Sequence, residues 1–424
     1  MNNFDKIFGY ELEKQEMLRL CDVLCNRKKY EALGITLPKA ILLYGEPGLG
    51  KTLMAKAFIA ETGRKVFHCK KNKSNGEFVD EIKKTFEEAI NNAPSIIFFD
   101  DMDKFAEDNL QQDCNKEEFV AIQTGLEEIS NKDVFVIATA NDIYYLPESL
   151  LRAGRFGKKL LFSSPSFDDS VKIIRHYLAS KRVAANVSPD SLAHILSGHS
   201  CAMLENVINE AGIYAAYSNA PEITLSHIRE ALSTVMIERT PLPKDAPNKP
   251  IIAYHEAGHA VANLLAHRDV SSLAIGKCGQ GGCSVGICAA AKNNLSSFEE
   301  VEARILVKLA GKASSELQFG KVDIGVEKDI EDAMEIIKNN LQQLVTYGFE
   351  YCLTEKYYDG LSLRQLDKNQ EKAVCLLEEY YNKAKALLEA HKDLLDAIAN
   401  ELLEKEFLIY DDIMSIVERY PIDK

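Results

Sequence analysis

The sequence has no run of about 18 apolar residues, so no segment reads as a bilayer-spanning helix. Met1 is followed by neither a basic stretch nor an apolar core, so no secretory signal peptide is expected. Positive charge is in deficit. A net charge of −14 argues against a nucleic-acid-binding surface and for a soluble, self-repelling particle. Lys70-Lys71-Asn72-Lys73 is the one local exception. The ten cysteines make no disulfide framework: Cys21 and Cys25, for example, sit inside a helical pattern. Reduced thiols in a cytosolic compartment are expected. Cys278, Cys283 and Cys288 recur every five residues in a glycine-rich stretch. Zinc knuckles prefer two-residue gaps and paired ligands, so a metal site there is disfavoured. There is also no low-complexity tract.

What is present is a globular composition, 46% hydrophobic and 27% charged, over 424 residues. That length suggests about three domains at ~150 residues each. Within 1–165, short apolar runs alternate with helical patterns. The runs are Ala40–Tyr44, Lys65–Cys69, Ser95–Phe99, Asp133–Thr139 and Lys158–Phe162. They predict an α/β domain with a buried parallel sheet and crossover helices. Residues 166–237 read as helices only, over Ser170–Lys181, Pro189–Leu196, Met203–Tyr217 and Leu225–Ile237. Prolines 241, 243, 247 and 250 make 238–250 a linker and domain boundary. Residues 251–424 read as mostly helical, with a short sheet near 269–291 and helices over 297–318, 327–347 and 368–420.

Gly45-Glu46-Pro47-Gly48-Leu49-Gly50-Lys51-Thr52 fits a phosphate-binding loop between a predicted strand and a predicted helix. Its glycines let backbone N–H groups wrap phosphates. Lys51 reaches the β and γ phosphates, and Thr52 offers a hydroxyl to Mg²⁺. The strand Ser95–Phe99 ends in Asp100, placed to hold the Mg²⁺ shell, and Asp101, where a water-polarising carboxylate belongs. Asn141 ends another strand and can orient water at the sheet's carboxyl edge. Arg152 and Arg155 lie three apart and, on local pattern, read as a solvated face.

Farther along, His255-Glu256-Ala257-Gly258-His259 places two imidazoles at i and i+4 on one helix face, where both can grip one Zn²⁺. Glu256 beside them is the candidate general base for a water. A catalytic zinc needs a third protein ligand. The stretch Glu327-Lys328-Asp329-Ile330-Glu331-Asp332 supplies several candidates, and spacing does not choose among them.

Together these segments, with Leu309–Glu316 between them, resemble the FtsH-type AAA+ zinc metalloproteases over about residues 4–350. The resemblance implies an AAA+ core over 1–165, a helical lid over 166–237 and a mostly helical metallopeptidase domain over 251–424. It implies ATP, Mg²⁺ and Zn²⁺ as cofactors, and Asp329 as third zinc ligand beside His255 and His259. Asn141 would be sensor 1. Arg152 and Arg155 would be arginine fingers that reach a neighbouring subunit's γ-phosphate, so a homo-oligomeric ring, a hexamer, follows. Ile7-Phe8-Gly9 would pack the adenine, Glu316 would lie on a helix facing the zinc site, and Gly286-Ile287-Cys288-Ala289 would pair with extended substrate.

Three departures qualify the resemblance. The family's N-terminal spans have no counterpart here, so a soluble, cytoplasmic protein is expected. Asp101 stands where the family has Glu, one methylene longer, and slow ATP hydrolysis is expected. The family's aromatic–hydrophobic–glycine pore loop is missing, and Phe78-Val79-Asp80 is its nearest approximation. The expected activity is ATP-driven handling of polypeptides coupled to peptide-bond hydrolysis. The alternative is a nucleotide-gated regulatory or scaffolding ring with weak translocation and largely ATP-independent peptidase chemistry.

Overall fold

The computed structural model describes residues 3–71, 75–105, 117–237, 239–240, 246–278, 283–290, 297–321, 326–342, 347–348, 351 and 363–422. Two compact units emerge, one of residues 1–180 and 198–206, the other of 181–197 and 207–424.

The first unit is built on five parallel strands, β1 (Ala40–Tyr44), β2 (Lys65–Cys69), β3 (Ser95–Phe99), β4 (Val134–Ala140) and β5 (Lys158–Leu161), in the order β2-β3-β4-β1-β5. Every residue of β3 and β4 is buried, as continuous apolar runs require when both sheet faces are covered. The register sets Tyr44 beside Ala140, and Phe99 beside Ala138, so the carboxyl ends of β1, β3 and β4 form one edge. Helices α1 (Glu11–Cys25), α2 (Arg27–Glu31), α3 (Lys51–Thr62), α4 (Asn75–Asn91), α5 (Glu117–Glu128) and α6 (Phe167–Ala179) complete the alternation. Phe78, Phe86, Phe99, Phe105 and Phe119 fill the core on one sheet face.

Phe78 does not resemble a pore residue. It is fully buried in α4, edge-on to Phe105 at 4.8 Å, because an amphipathic helix turns its apolar face to the sheet. Asn72 and Lys73 of the basic cluster lie outside the described residues.

The remaining helices are α7 (Pro189–Ile195), α8 (Cys201–Tyr217), α9 (Leu225–Ile237), α10 (Lys249–Leu265), α11 (Phe298–Phe319), α12 (Val326–Gln342), α13 (Leu363–Ala390), α14 (Lys392–Lys405) and α15 (Tyr410–Arg419). The compact units cut the predicted 166–237 body differently from the sequence. Residues 198–206 belong with the parallel sheet, where the Ala202 amide donates to the Gly48 carbonyl at 3.0 Å. The α7 and α9 segments belong with the C-terminal helices. There His194 stacks on Tyr410 at 4.0 Å, and Arg229 grips both carboxylate oxygens of Asp412 at 2.8 and 2.9 Å.

The second unit carries a sheet of β6 (Arg239–Thr240), β7 (Val270–Cys278) and β8 (Cys283–Ala290), with β9 (Phe407–Ile409) paired to β7. The predicted linker is therefore shorter than 238–250. Residues 239–240 are a strand, and Pro250 sits in the first turn of α10, where a missing N–H costs nothing. The predicted helix over 368–420 is three helices interrupted by β9. Cys278 and Cys283 are opposite each other in the β7–β8 register, and Cys288 faces Leu273; the side chains of these cysteines lie outside the described residues. Among the described residues no helix is long and apolar enough to cross a membrane.

Candidate functional sites

In the second unit, α10 is buried along nearly its whole length, so small residues must let it approach its neighbour. Gly258 does this: a Cβ there would lie 2.5 Å from the Ala310 carbonyl of α11. Ser314 locks the contact by donating to the Tyr254 carbonyl at 2.6 Å. Close packing brings α11 under the two histidines. Gly311 leaves them room, since its Cβ would fall 2.6–2.7 Å from His255 Nε2 and His259 Nε2.

His255 Nε2 and His259 Nε2 stand 3.0 Å apart, and Asp329 Oδ2 lies 3.2 and 3.1 Å from them. His259 donates Nδ1–H to the Val307 carbonyl at 2.7 Å, which leaves its Nε2 a bare lone pair. A buried cluster of ring nitrogens and one carboxylate oxygen has too few protons to satisfy itself. It has the donor set and the convergence a metal ion needs, and two His with one carboxylate suit Zn²⁺. Of the candidates in Glu327–Asp332, Asp329 is the one whose carboxylate lies against both histidines. Burial tends to raise the Asp329 pKa, but bonds to His255 and His259 and the charge of Lys308 hold the carboxyl well below the usual range. Glu256 is 5% exposed. Burial pushes its pKa up to about 7, with Asp329 adding to the rise and His255 and Lys308 opposing it.

Glu316 lies on α11 as expected, yet its carboxylate is engaged by Tyr381, Lys385 and Lys312 rather than by the histidines. β8, which contains Gly286–Ala289, pairs only with β7 among the described strands. Lys308 and Gly311 carry site geometry that the sequence did not single out.

In the first unit, the loop after β1 needs two unusual glycines. Gly45 has φ 141° and would put a Cβ 2.0 Å from the Phe162 carbonyl; Gly48 has φ 77° and would meet Ala202 at 2.8 Å. Lys51 is buried, and its ammonium bonds the Gly45 and Glu46 carbonyls at 2.6 and 2.7 Å and Asn141 Oδ1 at 3.0 Å. Burial lowers its pKa, while Asp103, Asp101 and Asp100 oppose that shift. Thr52 Oγ1 donates to Asp100 Oδ1 at 3.0 Å, and Thr139 Oγ1 donates to the same oxygen at 2.9 Å. Asp103 accepts from the Asn141 amide and side chain at 3.1 and 3.2 Å, fixing Asn141 at the sheet edge. Thr139 and Asp103 were not singled out from sequence, although Asp103 stands in a conspicuous acidic run.

Beside the loop a cavity of about 270 Å³ is lined by Ile7, Phe8, Gly48, His176, Tyr177 and Cys201. Phe8 stacks on His176 at 3.9 Å. Gly9 packs instead on Asp169. The two candidate fingers differ. Arg155 is tied to the Ser149 carbonyl at 2.6 Å and to Glu127 at 2.7 Å. Arg152 is exposed and has no side-chain partner among the described residues.

Residues 41–164 match the model of the ATPase family associated with various cellular activities (AAA), and residues 244–416 match that of peptidase family M41. Among relatives, an ATP-dependent zinc metalloprotease FtsH 1 of Thermomicrobium roseum is 30% identical over 98% of this chain and 68% of its own length. The chain belongs to the FtsH family. The FtsH of Aster yellows witches'-broom phytoplasma is 31% identical over 98% of this chain, and that of Lactococcus lactis 30% over 97%. The chain spans 64% and 63% of those two FtsH proteins. The fold is thus an AAA domain followed by an M41 peptidase domain, the order in which the two sites occur.

Proposed function

We propose that this chain is an ATP-dependent zinc metalloprotease that assembles as a homo-oligomeric ring, six copies in number, and acts on polypeptides. The observation that carries the reading is the convergence of His255, His259 and Asp329 beside buried Glu256, in a chain that also holds a complete phosphate-binding loop. The free thiols of Cys21, Cys25, Cys69, Cys201 and Cys375 support a reducing, cytoplasmic setting for both domains.

In this reading His255, His259 and Asp329 hold zinc, which polarises a carbonyl and acidifies water. Glu256 takes a proton from the attacking water and returns it to the departing amine, a task its buried place beside His255 suits. The edge of β8 that no described strand pairs with aligns an extended peptide by backbone pairing. Lys51 and the loop amides bind the ATP phosphates, Thr52 and Asp100 hold Mg²⁺, Asp101 polarises water, and Asn141 orients it. Arg152 and Arg155 serve the neighbouring subunit's nucleotide. The helices over 166–237 serve as the lid of the ATPase domain.

Casein degradation with and without ATP tests the proposal, with Glu256→Gln as control. ATP-stimulated cleavage that disappears in the variant while ATPase activity persists is expected. Cleavage of short peptides only, unaffected by ATP, would instead establish the regulatory-ring alternative.

A further inference from the structure

Lys308 follows Val307, whose carbonyl holds His259, on the face of α11 that meets α12. Its ammonium lies 3.1 Å from Asp329 Oδ1 and 2.8 Å from Asp332 Oδ2. The Asp329 carboxylate is thereby divided. Oδ1 faces Lys308, and Oδ2 faces the two imidazoles at 3.2 and 3.1 Å. An unrestrained carboxylate can rotate and present either oxygen, or both, to a cation. A charge-assisted bond to one oxygen removes that freedom.

We infer that Lys308 is a positioning residue for the metal: it pins Asp329 Oδ1 so that Oδ2 alone joins His255 and His259 in the ligand set. The inference rests on the zinc reading above and extends it to a residue outside the HExxH pattern and its aspartate. Electrostatics alone would argue against a lysine here, since an ammonium repels a nearby divalent cation. Asp332 offsets that repulsion, because it shares the ammonium at 2.8 Å. Lys308 is also half-buried, with 35% of its side chain exposed, so its bonds are not those of a freely solvated surface pair.

The competing account is mechanical. Lys308 would staple α11 to α12, and the metal would be indifferent to it. The two accounts separate on the full chain stripped of metal and titrated with Zn²⁺ against a chromophoric chelator. Loss of a bond to a ligating carboxylate typically weakens metal binding by about 10–100-fold, and Lys308→Met is expected to show that loss. Its Co²⁺ form should show an altered visible absorption spectrum, as Asp329 becomes free to present both oxygens. Lys308→Arg, which keeps the donor, should restore the spectrum. Asp332→Asn, which breaks the far side of the staple and leaves the Lys308–Asp329 bond, should keep the Co²⁺ spectrum near that of the unmutated chain and lose less Zn²⁺ affinity than Lys308→Met.

Unchanged Zn²⁺ affinity and Co²⁺ spectrum in Lys308→Met would overturn the inference. So would an Asp332→Asn variant that loses as much affinity as Lys308→Met, since that is the signature of a staple. If Lys308→Met does not fold, as read by circular dichroism, Lys308→Gln carries the same comparison. An unmutated chain that takes up no stoichiometric Zn²⁺ would defeat the zinc reading itself, and this inference with it.

Discussion

The Lys104 ammonium lies 2.9 Å from Asp101 Oδ2, so the carboxylate proposed to polarise water already holds a cation of its own chain. The geometry around it is tight. Asp101 has φ 54°, in the left-handed region, and its amide donates to Thr139 Oγ1 at 2.9 Å. Thr139 in turn donates to Asp100 at 2.9 Å, so one hydroxyl holds the two acids in fixed relation. Within that frame Asp101 is a short carboxylate with one oxygen occupied.

Removing the lysine should therefore speed the enzyme. Lys104→Ala frees an oxygen of Asp101 and is expected to raise the ATPase kcat. Asp101→Asn keeps the shape and tolerates the left-handed backbone, and should lower kcat by at least about 100-fold with nucleotide affinity retained. Steady-state ATPase assays with an independent binding measurement check both. A Lys104→Ala enzyme slower than the unmutated one would show that the lysine assists Asp101 rather than restraining it.

Gly311→Ala addresses the other site through space alone. The added methyl would stand 2.6–2.7 Å from both zinc-facing imidazole nitrogens, closer than real carbon–nitrogen contacts allow. Zinc affinity should fall by about tenfold or more, with peptidase activity, because the histidines must turn aside. ATPase activity should be spared. Zinc content by atomic emission alongside the two activities tests this, and full zinc occupancy in the variant would refute it.

Phe78→Ala is expected to be a stability variant. The ring is fully buried against Phe105 and among the core phenylalanines, so its removal leaves a cavity. A loss of about 3–5 kcal/mol is expected, read by denaturant unfolding. If stability is unchanged and only substrate degradation falls, Phe78 contacts substrate after all.

The parts of this protein that were legible in sequence are those fixed by local pattern. The strands Ala40–Tyr44 and Ser95–Phe99 lie where short apolar runs bounded by charge or turn residues put them, because a buried strand needs only its own residues to announce itself. His255 and His259 were equally plain, being four apart on one helix. What depended on tertiary register was hidden. Spacing could not choose Asp329 within Glu327–Asp332, since the orientation of α12 against α10 decides it. Nor could it show Lys308 or Gly311, whose roles come from α11 packing under the histidines. β9 was masked because Phe407–Ile409 is three residues in a helical neighbourhood and gains its hydrogen bonds from distant β7. Pro250 misled the boundary, since proline suits a helix's first turn as well as a connector.

Arg152 and Arg155 should also part company on mutation. Arg155 spends its guanidinium within the chain, on Ser149 and Glu127, whereas Arg152 is exposed and unengaged among the described residues. An arginine acting on a neighbour's nucleotide must be free to leave its own subunit, so Arg152 is the better finger. Arg152→Ala should reduce ATPase activity by about 10³-fold or more without altering thermal stability. Arg155→Ala should lower stability as well, by up to about 1 kcal/mol, because the exposed Glu127 carboxylate and the Ser149 carbonyl lose their partner. Mixing supplies the decisive measurement. Subunits carrying Arg152→Ala keep an intact Asp101, and subunits carrying Asp101→Asn keep an intact Arg152. If the finger acts across the subunit boundary, mixed rings regain ATPase activity that neither parent shows. Equal inactivity of the mixture and its parents, with mixed assembly verified by tagged pull-down, would place Arg152 in its own subunit's site or outside the reaction.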